Sequence, residues 1–559
     1  MGGRFQSPDF HKAQGATYTP AALADFVAEQ IVRYLPGERK RPLRILDPAL
    51  GDGQLLVSLL AKLGSEAAGV TLHGYETDTA ACERARARLA PAVLTVEGTC
   101  FLDVASEKPT AAGPFDIVIA NPPYVRTQIL GSDQSRALAR RFGLTGRLDL
   151  YQAFVLGIAG LLAPTGVAGL ILSNRFMSIR AGASVRRALS ERFQLRAIWD
   201  LGDTQLFAAA VLPAVVLLEG TDSPITTADT PFSSIYRTSA AATGCAASPL
   251  AALNLDGVVE VTDGRRFEVR HGTLAPDPPG ALWRMTTGNS EHWLARVRSR
   301  TWKTFGELGK IRVGVKTCAD SVFIRSDWQE WPPEERPELL KPLATHHGAG
   351  RFRANSQTAW QIVYPHQVVA GRRVAVPLDA YPRTARYLEK HRQILIARSY
   401  LLAANRQWYE LWVPQDPDGW AAPKLVFRDI VEEPTFWLDE TGSVVNGDCY
   451  WLRCDKSSER DALWLALAVG NSSFIAHFYD HCFHNKLYAG RRRFMSQYVE
   501  KFPLPRPDRP QSRQLVGLAQ QIYSLPLGSP VAALERQLDA LVWQAFDLDP
   551  AQSALAFEF

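Results

Sequence analysis

The sequence predicts an α/β fold over its first 225 residues and an α+β region beyond them. Three observations carry this expectation. Short apolar runs alternate with helical stretches up to about residue 222, the pattern of a layered domain on a mainly parallel sheet. From about residue 284 the texture changes: Trp, Arg and Pro become frequent, apolar runs shorten, and loops lengthen, as at 414–424 and 502–512. A chain of 559 residues also exceeds one ordinary core, so two or three domains are expected.

Strands are predicted at 43–47, 70–76, 93–97, 115–120, 167–173, 195–200 and 211–218, and helices at about 20–34, 53–63, 79–89, 149–162 and 181–191. Small and polar residues at 221–230 and 239–248, closed by Pro276-Asp277-Pro278-Pro279-Gly280, read as a connecting region over 226–285. The α+β domain then spans 286–510. Residues 511–559 form a helical cap, with Val531, Leu534, Leu538, Leu541 and Val542 on one face of a last helix at about 530–545. The uncharged segment 153–172 is about long enough to span a bilayer, but Pro164-Thr165-Gly166 interrupts it. It reads as a buried helix, a turn and a buried strand.

Composition excludes some classes. With 46% hydrophobic and 21% charged residues the chain is globular rather than disordered. Net charge is +5, shared evenly: Lys+Arg against Asp+Glu is 23 to 21 over 1–225 and 39 to 36 over 226–559. Nucleic-acid binding would therefore need locally arranged charge. The seven cysteines are scattered without a CxxC pair, so neither a disulfide framework nor a metal site is indicated, and a reducing cytoplasm is expected. The first 14 residues hold no apolar signal core. His477, His481, Cys482 and His484 read as a packed helix, and the fourteen Trp as core.

The chemistry concentrates at two turns. The strand 43–47 runs into Asp47-Pro48-Ala49-Leu50-Gly51-Asp52-Gly53, where glycines let the backbone approach a ligand and enter a helix. The next strand ends in Tyr75-Glu76, and a carboxylate at that distance can accept both ribose hydroxyls of a nucleoside cofactor. A dinucleotide is the rival ligand, although the tight GxGxxG spacing is missing. The strand 115–120 then ends in Asn121-Pro122-Pro123-Tyr124. The Asn carbonyl and the backbone carbonyl of Pro122 can each accept one N–H of a planar amino group, proline fixes φ, and the Tyr124 ring can lie against a flat base.

These residues resemble the TaqI-type, gamma-class adenine-N6 DNA methyltransferases, well over about 15–220 and loosely beyond. The resemblance implies a class I, Rossmann-like fold with a mixed seven-stranded sheet, S-adenosyl-L-methionine as cofactor, and a target-recognition domain over 286–510. Gly15-Ala16-Thr17-Tyr18-Thr19-Pro20 looks like the family's N-terminal cofactor motif. Carried over, Thr17, Tyr18 and Thr19 close on the cofactor. Asp47, Ala49, Gly51 and Gly53 line its methionine part, and Glu76 holds its ribose. Asn121, Pro122 and Tyr124 are the catalytic set. Asp149-Leu150-Tyr151 and Leu201-Gly202-Asp203-Thr204-Gln205-Leu206-Phe207 look like later motifs, which makes Phe207 a second aromatic wall against the base. One departure stands out: where the family has Asp-Phe-Leu, this chain has Cys100-Phe101-Leu102-Asp103. Either Asp103 reaches in to the cofactor adenine or that hydrogen bond is absent, with Phe101 packing on the ring.

The implied reaction is methylation of a flipped adenine, with double-stranded DNA as partner and a separately acting restriction endonuclease as companion to a monomeric modification enzyme in restriction-modification or phage defence. In the C-terminal half, Lys486, Arg491, Arg492 and Arg493 mix with aromatics and are expected to contact phosphates. Two rivals are weighed: a protein-glutamine or ribosomal-RNA amino-methyltransferase, and a non-catalytic DNA-binding module that responds to the cofactor.

Overall fold

The computed structural model of the protein describes residues 18–36, 41–105, 114–124, 132–144, 150–207, 212–222, 225, 229–355, 360–454, 456, 461–483, 487 and 491–550. The chain divides into two compact units, one running to Gly288 and including 483–490, the other made of 289–482 and 491–558.

The first unit is built on one sheet. Its strands are β1 (Arg44–Asp47), β2 (Thr71–Tyr75), β3 (Val93–Glu97), β4 (Phe115–Ala120), β5 (Leu162–Ser173), β6 (Gln194–Asp200) and β7 (Pro213–Glu219), all seven within a few residues of expectation. They lie in the order β3-β2-β1-β4-β5-β7-β6. Pairing is parallel from β3 to β5, while β7 runs antiparallel to both neighbours, so the sheet is mixed. Strands β4 and β7 are near-continuously buried because helices cover both faces, which is why they read as unbroken apolar runs. On one face α1 (Ala21–Tyr34) and α2 (Gln54–Leu63) bring Leu23, Val27, Ile31, Leu56 and Leu59 onto Ile45, Ile117 and Val167. With α3 (Thr79–Leu89) between β2 and β3, the other face carries α4 (Leu150–Ala159) and α5 (Ala183–Arg192), packing Val155, Ile158, Val185 and Leu189 against Val118, Leu170 and Val216.

Three expectations need correction. Residues 226–285 are not a connector. They continue the sheet through β8 (Pro231–Arg237), β9 (Gly244–Ala246), β10 (Gly257–Val261), β11 (Arg266–Leu274) and β12 (Met285–Thr286), in the order β6-β8-β11-β10-β9 with β12 on β11. Their inward residues alternate, as in Phe232, Ser234 and Phe267, Val269, and the Gly- and Ser-rich loops between them hid that period. The expected turn at Pro164-Thr165-Gly166 is instead an irregularity inside β5: Thr165 takes φ 63°, and the pairing to β4 shifts register between Phe115 and Ile117. Helix α4 accordingly ends at Ala159. Finally, the helices Pro510–Ser524 and Ala532–Ala545 belong to the second unit and are not a separate cap.

The second unit is α+β. One four-stranded sheet joins Arg312–Val313, Cys449–Leu452, Lys424–Arg428 and Phe436–Asp439; another joins Ile324–Arg325, Gln361–Val363, Leu340–Ala344 and Val444–Val445. Trp328, Trp420, Trp437 and Trp451 are fully buried among these strands, which explains the tryptophan-rich texture as core. Among the described residues no single helix is long and apolar enough to cross a membrane.

Candidate active site

Strand order fixes where a ligand can bind. β1 and β4 are parallel neighbours with Leu46 opposite Val118, so the loops leaving their carboxyl ends lie side by side. The order reverses there, since β1 continues to β2 and β3 on one side and β4 to β5 on the other. Crevices of parallel sheets open at such a switch.

The loop after β1 is held by two carboxylates. Asp47 is fully buried; its Oδ1 accepts the Ala49 N–H at 3.0 Å, and its Oδ2 has no partner among the described residues. Burial pushes the Asp47 carboxyl up to about 7; the Ala49 N–H opposes this and the Glu76 charge adds to it. Glu76, just past β2, accepts the Gly51 N–H at 2.9 Å on Oε2, and the N–H groups of Thr77 (2.7 Å) and Asp78 (2.9 Å) on Oε1. Gly51 and Gly53 take φ 53° and 81°, the left-handed region that favours glycine. A Cβ on Gly53 would sit 3.2 Å from Ala85 and Leu89, so α3 packs on the turn itself. Over Gly51 lies the Tyr18 ring, 3.7 Å from where a Cβ would stand, with its hydroxyl accepting from Arg84 at 2.7 Å.

The segment before α1 bridges to the second loop. Asn121 Nδ2 donates to Thr19 Oγ1 at 3.0 Å, and Asn121 Oδ1 accepts the Tyr124 hydroxyl at 2.9 Å. That hydroxyl also reaches Ile171 O at 3.2 Å. Pro122 is buried. The Tyr124 ring is part-buried, 6.5 Å edge-to-face from fully buried Tyr151, and burial raises its phenol far above the ordinary range. The structure therefore gathers Tyr18, Thr19, Asp47, Ala49, Gly51, Gly53, Glu76, Asn121, Pro122 and Tyr124 at one end of the sheet.

Other expected residues have different surroundings. Phe101 is 1% exposed, in contact with Tyr75 and Phe154 at 5.5 and 5.4 Å, and acts as core rather than as an open ring. Asp103 lies in the short helix Phe101–Val104, its side chain 72% exposed and 3.4 Å from Arg141. Phe207 is buried in the cluster formed with α1 and α2, whereas Tyr124 packs on the cluster of the opposite face. Thr17 and Lys486 lie outside the described residues. Arg492 and Arg493 are structural: Arg492 makes two bonds to Asp480 (2.8 and 2.7 Å) and one to Glu432 O, and Arg493 pairs with Asp429 at 3.1 Å. Both are part-buried on a strand paired to Ile430–Val431, so neutralised charge, not free cation, explains the run. Arg491 is exposed.

A buried network beneath the loop after β6 is not legible in the sequence. Asp200 Oδ1 accepts Asn174 Nδ2 (2.9 Å) and the Gly202 N–H (3.2 Å), and Oδ2 accepts the Tyr236 hydroxyl (2.6 Å). Burial lifts Asp200 to about 6 against these bonds. Tyr236 comes from β8, inside the region misread as a connector, so the network had no legible third member.

Residues 85–207 match the family described as Eco57I restriction-modification methylase, and residues 380–504 the TaqI-like C-terminal specificity domain. The type II methyltransferase M.BanIII of Aneurinibacillus aneurinilyticus is 35% identical over 96% of this chain and 98% of its own length. M.PaeR7I, a type II methyltransferase of Pseudomonas aeruginosa, is 25% identical over 89% of this chain and 86% of its own. The release factor glutamine methyltransferase of Rhodospirillum rubrum is 32% identical, over 22% of this chain and 38% of its own. Among solved structures, a nuclease-deletion mutant of the Type ISP restriction-modification enzyme LlaGI in complex with a DNA substrate mimic shares the fold, with TM-score 0.54 at 11% identity over 92% of this chain and 47% of that one.

Proposed function

The chain belongs to the TaqI-like type II restriction-modification methyltransferases, and from that premise we propose that it methylates the N6 amino group of an adenine flipped out of double-stranded DNA. Its cofactor is S-adenosyl-L-methionine. When bound, this cofactor supplies an electrophilic methyl group on a sulfonium.

The residues fit such a group. Asp47 Oδ2 is a buried acceptor with no protein donor among the described residues, which suits an ammonium. Glu76 takes three backbone N–H groups and, with about four lone-pair sites on a carboxylate, keeps room for a ribose hydroxyl. The Tyr18 ring covers the Gly51 turn at van der Waals distance. Cofactor binding is assigned to these three residues together with Thr19, Ala49 and Gly53.

One observation carries the amine chemistry: the Asn121 amide is fixed at both ends, by Thr19 and by Tyr124. Its Oδ1 has a second lone pair, and Pro122 contributes a carbonyl with no competing N–H. Two acceptors on one amino group pull its N–H bonds out of the base plane and free the nitrogen lone pair from the ring. The nitrogen can then form the new N–C bond as the methyl's bond to the sulfonium sulfur breaks, the sulfur leaving as a neutral thioether, and the surplus proton on nitrogen passes to water. Positioning and electrostatics do this work without a nucleophilic side chain. Extruding the base costs a few kcal/mol, and stacking on Tyr124 offsets about 1–3 kcal/mol of it. Phe207, packed in the other cluster, is left out of this reading.

The rival amide substrate has one finding in its favour, the likeness to a glutamine methyltransferase, but that likeness covers only 22% of this chain. Purified protein supplied with labelled cofactor and plasmid duplex should yield N6-methyladenine on nucleoside digestion. Asn121→Ala should abolish it while cofactor binding persists. Label in cytosine, in RNA or only in protein would overturn the proposal. In its cellular setting we place the protein as a monomeric modification enzyme, alongside a separate nuclease or defence system.

A further inference from the structure

The second unit carries a β-hairpin with an unusual balance of anchoring and exposure. Its strands, His366–Val369 and Arg372–Ala375, pair with each other, antiparallel, through the tip Ala370-Gly371, and with no other strand among the described residues. Both tip residues take positive φ (49° and 72°), the two-residue turn that matches strand twist. A lone hairpin is marginal in water, and this one is fixed at its base. His366 is buried and accepts the Leu411 N–H at 3.0 Å, the Tyr409 hydroxyl holds Val376 O at 2.8 Å, and Arg373 donates to Gln415 O at 2.9 Å. Beyond that base every residue from 369 to 374 is exposed.

The two faces differ. Cross-strand partners share a face and successive residues alternate, so the register puts His366, Val368, Arg373 and Ala375 on one side, the side that carries the anchors. Gln367, Val369, Arg372 and Val374 make up the other. Val369 is 52% exposed, and Arg372 has no hydrogen-bond or ion-pair partner among the described residues. No Asp or Glu occurs in sequence between Glu338 and Asp379, so the hairpin carries no carboxylate of its own. A rigid, protruding, cation-bearing ribbon with an outward amide and two outward branched apolar side chains has the form of a base reader. Paired strands lie about 4.8 Å apart, and a two-stranded ribbon enters a major groove about 12 Å wide. Arg suits guanine, Gln suits adenine, and an apolar side chain suits the thymine methyl.

We infer that the face Gln367, Val369, Arg372 and Val374 seats in the major groove of the target duplex and sets part of its sequence specificity. This rests on the DNA reading above, and it concerns residues outside the segment matched to the specificity-domain family. The test uses the full chain and a plasmid with a randomised insert, with methylated adenines located by long-read sequencing. Arg372→Ala should cut kcat/KM on the preferred site by about 10- to 100-fold, through KM, and admit other bases at one position of the site. Gln367→Ala should relax a different position. Cofactor affinity should match wild type in both, which confirms folding. An unchanged site preference overturns the inference, even if binding weakens uniformly, because a phosphate contact carries no sequence. Wild type that methylates no duplex would instead refute the DNA reading, and the inference with it.

Discussion

Replacing Asp47 by Asn tests the cofactor end of the site through stability alone. Folding carries this carboxyl from an ordinary value of 3.8 to about 7. A raised acid holds more protons folded than unfolded, so its contribution is best below the unfolded value and is lost as pH rises toward the folded one. Above pH 7 the loss levels off. Between pH 5.5 and 8.5 these two values give a penalty growing by about 2 kcal/mol. Asn keeps the acceptor for the Ala49 N–H and removes the titration, so the variant-minus-wild-type difference should move by that amount toward the variant. At about 2–4 °C per kcal/mol the relative melting temperature should rise by about 4–8 °C across the window. Scanning calorimetry without cofactor reads this directly. A difference independent of pH from 5.5 to 8.5 would refute the account of Asp47 as a buried acid waiting for a cation. In wild type, cofactor affinity should fall by up to about tenfold per unit below pH 7 and flatten above it.

Three further outcomes follow from the same geometry. Thr19→Val removes the acceptor of Asn121 Nδ2 and should slow turnover at saturating cofactor and DNA roughly tenfold, about 1.4 kcal/mol; an unaltered rate would show that Asn121 needs no second tether. Tyr236→Phe strips the 2.6 Å bond from buried Asp200 and should cost about 1.5–3 kcal/mol in urea unfolding. That loss should grow as pH rises through 6, because Asp200 is pushed higher still. Arg492→Ala removes two bonds to Asp480 and should destabilise by about 1.5–3 kcal/mol while the salt dependence of DNA binding stays as in wild type; a flattened salt slope would return Arg492 to the phosphate contacts.

Much of the first unit was legible because its strands are buried on both sides. Runs such as Phe115–Ala120 and Pro213–Glu219 admit hardly any other reading. The turns at Gly51 and Asn121 were legible because their backbone and acceptor demands restrict residue type. What escaped depended on tertiary partners. β8 and β11 are half-buried and alternate, so short polar loops disguised them as a linker. Phe101 and Phe207 carry aromatic identity without direction, and only packing shows that both are interior. The basic run at 491–493 looked like a nucleic-acid contact until Asp480 and Asp429, 12 and 64 residues away, proved to be its partners. Arg372 shows the converse, since its significance lies in having no such partner among the described residues.

The continuation of the sheet past β6 decides how this protein can be cut. A fragment ending near residue 225 would strip β8 from the flank of β6 and leave Ile198, Trp199 and Asp200 with unsatisfied backbone groups on an open edge. It would also lack Phe232 and Ile235, both interior, and so uncover the core residues they pack on. Such a truncation invites strand-to-strand aggregation. An independently folding half should therefore extend through Met285–Thr286, and grafting or domain-exchange experiments should place their junction after residue 288.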